Sequence, residues 1–436
     1  MAGIHLLPCD SHEHALSPSI DIIDYSHHHC DVRHHLSAVV MPTDGLQPLK
    51  EPTVSRPKIL VTGATGKTGQ AVARQLLQEQ WPVRALVHRE DGRSDALRRL
   101  GADVLVADMF NPQQMAKAMD GVRRAYFVTL FKPGMVRAAQ AFADAARQTR
   151  LETVVQLSQW LSHPTHPSIQ TRETWQVDQL MEDIGDTDHI IVNPGMFADN
   201  FLRVIDFASL LYFYPVLTAD SSSAPVANED IARVVVALLK QPEGLAGKRF
   251  RPTGPRLLTG REMARVIAQV VGHRVLPVDL PMWMFRKAAR QSGADIHEVY
   301  NYGLYMQEHR RGTFSYGGGV TDVLERLTGA PAESFEATAA RYAAMPFARQ
   351  SFANRIKAFA RFNVLPLVPA HDLKAYERRM GFVTPEDAPL SIDDPAWKLA
   401  HKAQMDEQGI DRNGRPVAPG QSDVRPRAAV GLMGQP

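Results

Sequence analysis

The chain has 436 residues, 44% of them hydrophobic and 22% charged, with a formal net charge of only +2. This length suits one large domain or two, and the composition excludes a collagen-like, disordered or disulfide-framework protein. The small net charge gives no global attraction to nucleic acid or to an anionic membrane, and the two cysteines, Cys9 and Cys30, both lie near the N-terminus, which suits a reducing compartment.

Residues 1–55 read as a leader rather than a folded domain. Eight of the 17 histidines fall here (His5, His12, His14, His27, His28, His29, His34 and His35), mixed with Ser, Asp and Pro and without a persistent period. One reading is a metal site built from these histidines with Cys9 and Cys30. The other is a disordered leader, or an upstream extension if translation starts at Met41. No pair has finger-like spacing, so disorder is the expectation. The segment lacks the basic start and apolar core of a signal peptide, and the most apolar later stretch, Phe207 to Ala219, is too short to span a bilayer. A cytoplasmic location is expected.

Residues 58–69, Lys-Ile-Leu-Val-Thr-Gly-Ala-Thr-Gly-Lys-Thr-Gly, are the most informative stretch. The apolar run Ile59, Leu60, Val61 feeds into Gly63, Gly66 and Gly69, and a helical pattern follows through Val72, Leu76 and Leu77. Strand, tight turn and helix together present backbone N–H groups and a helix N-terminus to an anion, usually a dinucleotide pyrophosphate. Gly66-Lys67-Thr68 imitates the end of a P-loop, but the residue five before Gly66 is Val61, so the phosphate-wrapping loop of a triphosphatase is missing. The expected cofactor contacts in the turn are Gly63, Thr65, Gly66, Lys67, Thr68 and Gly69.

Strand and helix signals then alternate. Strands are predicted at 58–62, 82–87, 103–107, 124–129, 152–158 and 189–193, and helices at 68–79, 94–100, 112–119, 134–149 and 171–184. This argues for βαβ units in a doubly wound parallel α/β sheet of Rossmann type, with ligands beyond the carboxyl ends of the strands. From about residue 196 the pattern loosens into predicted helices at 197–210, 228–240, 259–271 and 281–310, a smaller, mostly helical substrate lobe. Met282, Trp283, Met284 and Phe285 there suit either an apolar pocket or ordinary core. Residues 346–436 read as a helical extension. Phe352, Ile356, Phe359 and Ala360 recur at helical spacing beside Arg349, Arg355, Lys357 and Arg361. One or two amphipathic helices are expected, docked on the body, a second subunit or another protein partner, with a membrane-surface helix as a further reading. A disordered tail is expected from about Gly409.

Four stretches carry a family resemblance: Val61 to Gly69 with Val83-Arg-Ala-Leu-Val-His-Arg89, then Ala107-Asp108, then Asn193-Pro-Gly-Met-Phe-Ala-Asp-Asn200, and finally Leu327-Thr-Gly-Ala-Pro-Ala-Glu-Ser-Phe-Glu336. In these the region from about 56 to 345 resembles the NmrA-like group of atypical short-chain dehydrogenases/reductases. The resemblance implies an NAD(P)-binding domain in which Asp108 meets the adenine edge. Thr129 lies near the ribose and nicotinamide, Ser158 and Gln159 face the same crevice, and Pro194, Gly195 and Met196 line the nicotinamide. Asp108 and Ser158 also fit a helix cap or turn. Asn193 stands where relatives often have arginine.

The end of the second strand bears on cofactor choice independently. An acidic residue there selects NAD and an arginine accepts the 2′-phosphate of NADP. The strand ends Leu86-Val87-His88-Arg89, with no carboxylate until Glu90, so Arg89, supported by Lys67, favours NADP(H). Both also read as ordinary surface charges. The Tyr-x-x-x-Lys pair of related dehydrogenases is absent: aligned through Asp178, its positions hold Gln170 and Thr174, neither of which does acid–base work near neutral pH. Two functions follow. One is an NADPH-dependent oxidoreductase passing hydride to a small organic acceptor such as a quinone or conjugated carbonyl, with His163, His166 and Lys132, and more remotely Tyr212, as substitute proton donors. The other is a non-catalytic NAD(P)-binding redox sensor acting through a protein partner.

Overall fold

Seven strands form the central sheet in a computed structural model that describes residues 56–409. The histidine-rich leader with its metal reading, and the tail expected beyond Gly409, lie outside the described residues. In chain order the first half runs β1 (Ile59–Val61), α1 (Lys67–Gln78), β2 (Val83–Val87), α2 (Gly92–Arg99), β3 (Asp103–Val106), α3 (Pro112–Met119), β4 (Arg124–Val128), α4 (Met135–Thr149), β5 (Thr153–Leu157), α5 (Ile169–Glu182) and β6 (Asp188–Val192). These match the predicted alternation. The boundaries have local causes: Asp91 caps α2, Asn111 caps α3 with Pro112 in its first turn, and Ser168 caps α5.

The second half runs α6 (Ala198–Leu202), α7 (Ile205–Leu211), β7 (Phe213–Val216), β8 (Ser222–Ser223), α8 (Asn228–Lys240), β9 (Arg249–Phe250), β10 (Leu258–Thr259), α9 (Gly260–Val271), β11 (Leu276–Asp279), α10 (Met282–Gln291), α11 (Ile296–Arg310), α12 (Val323–Thr328), α13 (Phe335–Ala343), α14 (Phe352–Val364), α15 (Leu373–Met380) and α16 (Pro395–Gln408). The sheet order is β3-β2-β1-β4-β5-β6-β9, parallel throughout, with Ile59 in register with both Val83 and Arg124. Its strand order reverses beside β1, which places the crevice at the glycine turn.

Both faces of the sheet are covered, so its strands are near-continuous apolar runs. Ile59, Val61, Val155, Ile190 and Val192 pack with α1 and α8, while Leu60, Ala125, Phe127 and Val154 pack with α3, α4 and α5. Each fully buried Val, Leu, Ile or Phe side chain among these contributes about 1.5–3 kcal/mol. A third cluster builds the lobe from α6, α7, β7, α9 and α13, and it takes in Trp160 from the loop after β5 and Trp397 and Met405 from α16.

Four features depart from the sequence prediction. The helix expected over 197–210 is two, α6 and α7, parted at Arg203–Val204. The one over 281–310 is also two, parted by Gly293 at φ +76° and restarted by the Asp295 cap of α11. The two-residue strands β8, β9 and β10 are too short for any periodicity. The extension holds three helices, and α16 docks on the sheet itself. Its start combines the Asp394 cap, which accepts from the Ala396 and Trp397 N–H groups, with Pro395 at the first position.

Candidate functional site

The glycine turn is fixed at both ends. The Thr62 hydroxyl donates to the Tyr126 carbonyl (3.2 Å) and accepts from the Val128 N–H (2.9 Å), which ties the turn to β4. Gly63 sits at φ +58°, and the Gly66 N–H donates to the Gly63 carbonyl (2.8 Å). A Cβ on Gly69 would lie 2.3 Å from the Gly63 oxygen, so only glycine lets α1 pack this closely. Gly66 caps α1 without a side-chain bond, and no acidic residue occupies the first turn. The donor end of α1 thus suits an external anion. On these grounds the residues fit a dinucleotide pyrophosphate.

Lys67 turns away along the turn to an ion pair with Asp199, which also accepts from the Tyr342 hydroxyl and lies 3.4 Å from Arg203. Burial pushes the Asp199 carboxyl up, but Lys67, Tyr342 and Arg203 together hold it below its ordinary range. Neither Asp199 nor Tyr342 is evident from the sequence, because they lie 132 and 275 positions beyond Lys67. At the end of β2, His88 and Arg89 are exposed, and Arg89 makes no hydrogen bond or ion pair among the described residues. The nearest carboxylates are engaged: Glu90 pairs with Arg98 (2.5 Å), and Asp91 caps α2 and pairs with Arg93 (2.6 Å). Arg93, which sequence reasoning missed, also donates to the Thr65 carbonyl of the glycine turn (3.1 Å). Its signal was a second arginine four residues after Arg89, in the first turn of the next helix.

Asp108, after β3, accepts from the Phe110 N–H (3.0 Å), and its own N–H donates to Gln114 (2.8 Å). Thr129 is buried and donates to the Leu157 carbonyl (3.1 Å). The Ser158 hydroxyl faces α5 and donates to Asp178 (2.9 Å), which also accepts from Ser162 (2.8 Å) and Gln156 (2.7 Å). Burial raises Asp178 to about 6 in spite of Arg249 and these donors. Pro194, Gly195 and Met196 are buried, with the Gly195 N–H on the Pro252 carbonyl and the Met196 carbonyl accepting from Val226.

The loop after β5 holds the two candidate histidines, and both are built into the interior. His166 Nδ1 accepts from the Ser168 N–H (2.9 Å), so Nε2 carries the proton and donates to the buried Glu308 (2.7 Å). Glu308 further accepts from Thr313 (2.5 Å) and the Ser391 N–H (2.6 Å). His163 lies beside Thr165 (3.2 Å) and Asp394 (3.8 Å), and burial lowers it to about 4, so it is neutral at neutral pH. Lys132 is exposed, and Tyr212 lies in the lobe against His273 and under Arg355.

The extension reaches this same end of the sheet. Asn193 and Gln404 exchange two amide hydrogen bonds (3.1 and 2.8 Å), and Gln408 accepts from the Arg251 N–H (3.0 Å). Trp397 donates to the Trp160 carbonyl (3.1 Å) and stacks on His401 at 4.2 Å. A cavity of about 360 Å³ opens in the lobe, walled by aromatic residues such as Phe207, Phe213, Phe285 and Tyr302, with Arg203, Glu298, Asp206 and Arg361 as its charged groups. Met284 and Phe285 of the predicted apolar cluster line it, whereas Trp283 is exposed and Met282 packs on the lobe core. Its wall begins at Asn200, the neighbour of Asp199, so α6 stands between the cavity and Lys67 of the turn.

Comparison with known proteins agrees with this geometry. The chain is 26% identical over 290 residues to an NAD(P)H azoreductase of Xenophilus azovorans, covering 66% of this chain and 98% of that protein. It is 27% identical over 288 residues to a (4-alkanoyl-5-oxo-2,5-dihydrofuran-3-yl)methyl phosphate reductase of Streptomyces griseus, covering 65% and 98%. An NADPH-dependent quinone oxidoreductase of Escherichia coli, solved with NADPH, shares the fold with a TM-score of 0.55 at 20% identity, covering 65% of this chain and 99% of that one. The negative transcriptional regulator NmrA, solved with NADP, does so with a TM-score of 0.51 at 16% identity, covering 66% and 95%. The profile of the NmrA-like family matches residues 55–326, from just before β1 into α12. The chain belongs to the NmrA-like family.

Proposed function

We propose that the chain is an NADPH-dependent oxidoreductase that passes hydride to a small, apolar organic acceptor such as a quinone or conjugated carbonyl. The observation that carries this reading is the glycine turn, whose helix begins with no side chain of its own in the anion position. Named activities of its relatives, azo and quinone reduction among them, support the class of reaction. When bound, the reduced nicotinamide supplies the hydride. The protein's part is to hold and to exclude. The turn and the α1 N-terminus take the pyrophosphate, and Asp108 meets the adenine edge. Thr129, Pro194, Gly195 and Met196 flank the nicotinamide, and Ser158 acts through Asp178 by fixing β5 to α5. Arg89, aided by Arg93, takes the 2′-phosphate, for which an unpaired guanidinium whose neighbouring carboxylates are already engaged is suited.

A second reading, a redox sensor that binds the dinucleotide without turnover, is favoured by Thr174 in the lysine position. Its hydroxyl donates back to the Gln170 carbonyl (2.8 Å) rather than toward the crevice. Calorimetry with NADPH and NADH, followed by NADPH oxidation with a quinone, separates the two. The reductase binds NADPH more tightly, loses roughly tenfold or more of that affinity in Arg89→Asp, and consumes NADPH when acceptor is added. Binding without turnover across quinones, enals and azo compounds establishes the sensor, and no binding of either nucleotide refutes both.

A further inference from the structure

Helix α14 has only one buried residue, Ala358, with which it rests on α7. Phe352, Ile356 and Phe359 fall at i, i+4 and i+7 and point away from that contact, 81%, 53% and 62% exposed. Leu367, just beyond the helix, is 82% exposed. Arg355 and Lys357 lie on either side of this apolar stripe on the helical wheel. Between Glu336 and Asp372 the chain has five cations (Arg341, Arg349, Arg355, Lys357 and Arg361) and no acidic residue. The neighbouring α10 adds Arg286, Lys287 and Arg290, again without an acid, and exposes Trp283. Lys287 joins the two elements, lying over the Trp283 ring and donating to the Pro366 carbonyl (2.5 Å). The carboxylate that faces α14 is Asp206, 4.0 Å from Arg361.

An outward apolar stripe flanked by cations is the pattern of a helix lying in the plane of a membrane interface, with aromatic side chains in the acyl boundary and cations on anionic headgroups. A second copy of the chain is a poorer occupant. A two-fold contact would set this uniformly basic face against itself. We infer that α14, with Trp283 and Leu367 at its margin, docks the protein on an anionic lipid bilayer. The apolar cavity meets this face, because Phe347 and Phe362 are exposed and also line the cavity, together with Leu365 at the end of α14. The docked protein therefore presents the cavity edge to the bilayer, from which an apolar ligand enters without crossing water.

Flotation of the full chain with vesicles tests this without any nucleotide, so its outcome is separate from that of the proposed reductase activity. The chain should float with vesicles of equal parts phosphatidylcholine and phosphatidylglycerol, and much less with phosphatidylcholine alone. The double variant Ile356→Glu/Phe359→Glu should lose at least about tenfold in partitioning, with an unchanged melting temperature because both sites are solvent-facing. A second variant, Lys357→Glu, should lose about fivefold or more on the anionic vesicles only. The inference is overturned if the wild-type chain stays unbound, if both variants float like it, or if sedimentation shows a dimer that Ile356→Glu/Phe359→Glu dissolves and vesicles do not.

Discussion

Acidification is the perturbation to which this interior should respond most sharply. His189 donates through Nε2 to the Gln156 side chain (2.8 Å), His309 bridges the Ser221 and Ser223 hydroxyls (2.6 and 3.0 Å), and His401 donates to the Trp397 carbonyl (2.8 Å). Burial is the largest cause in each case and lowers their pKa values to about 3, about 4 and about 3, from 6.5. A folded-state value below the unfolded one means that the stabilisation is present above pH 6.5 and is lost as pH falls toward 4 and then 3. Between about pH 7.5 and about 5 the unfolded chain takes up about three protons that the folded chain refuses, a loss of ~6 kcal/mol. Asp178 opposes this. Its folded value of about 6 lies above 3.8, so the same fall in pH returns ~1 kcal/mol. The net loss of about 5 kcal/mol is a large part of the stability of an ordinary domain. His163, lowered in the same direction, adds to it. Urea unfolding followed by tryptophan fluorescence from about pH 7.5 to about 5 reads the slope. In His401→Phe, which keeps a ring between Trp397 and Trp160 but has no proton to gain, that slope should fall by about a third. A stability constant to within ~1 kcal/mol over this range, or an unaltered slope in the variant, would refute the assignment of these rings as buried and neutral.

Two further substitutions address the site. Gly69→Ala places a methyl group against the Gly63 carbonyl at 2.3 Å; the turn must open, and calorimetry should show nucleotide binding lost while the circular dichroism of the sheet persists. Asn193→Ala and Gln404→Ala should each cost about 2 kcal/mol in urea unfolding, because each strands a buried amide, and the double variant should cost clearly less than their sum. Additive losses would mean that α16 is not anchored through this pair.

The chemistry that was legible in the sequence is local. A β-branched strand, three glycines at fixed offsets and an amphipathic helix lie within twenty residues, and each step follows from backbone sterics or periodicity. The absence of a carboxylate at the end of β2 was equally readable, because it depends on four adjacent residues. What escaped depends on distant pairs or on very short elements. Gln404 meets Asn193 across 211 positions, and neither residue type announces the other. The strand β9 has two residues, yet it completes the sheet and carries the chain into Arg251, a buried guanidinium 3.7 Å from the Trp160 ring. Burial lowers even this arginine, to about 9. The histidines show the limit from the other side. Residue type suggested acid–base work, and only the packing of Glu308, Ser168 and Asp394 around them shows two rings held in the interior.

That packing bears on which acceptors suit the proposed reductase. The face of α5 that in related dehydrogenases offers a tyrosine and a lysine is here joined to β5 through Asp178, which takes hydrogen bonds from Gln156, Ser158 and Ser162. With a value of about 6, Asp178 is mostly ionised at neutral pH, and its neighbours have committed their protons to it. His163 is neutral, and His166 has no free nitrogen to cycle a proton, since one accepts from backbone and the other donates to Glu308. None of these groups is a competent acid near the ends of β5 and β6. An isolated ketone, whose alkoxide must be protonated as the hydride arrives, should therefore be a poor substrate of such a reductase. Quinones and conjugated carbonyls differ, because the incoming charge is delocalised onto an oxygen that water protonates afterwards. The same logic orders the substrate screen: acceptors with a delocalised anionic product should be reduced, and simple ketones of equal size and apolarity should not.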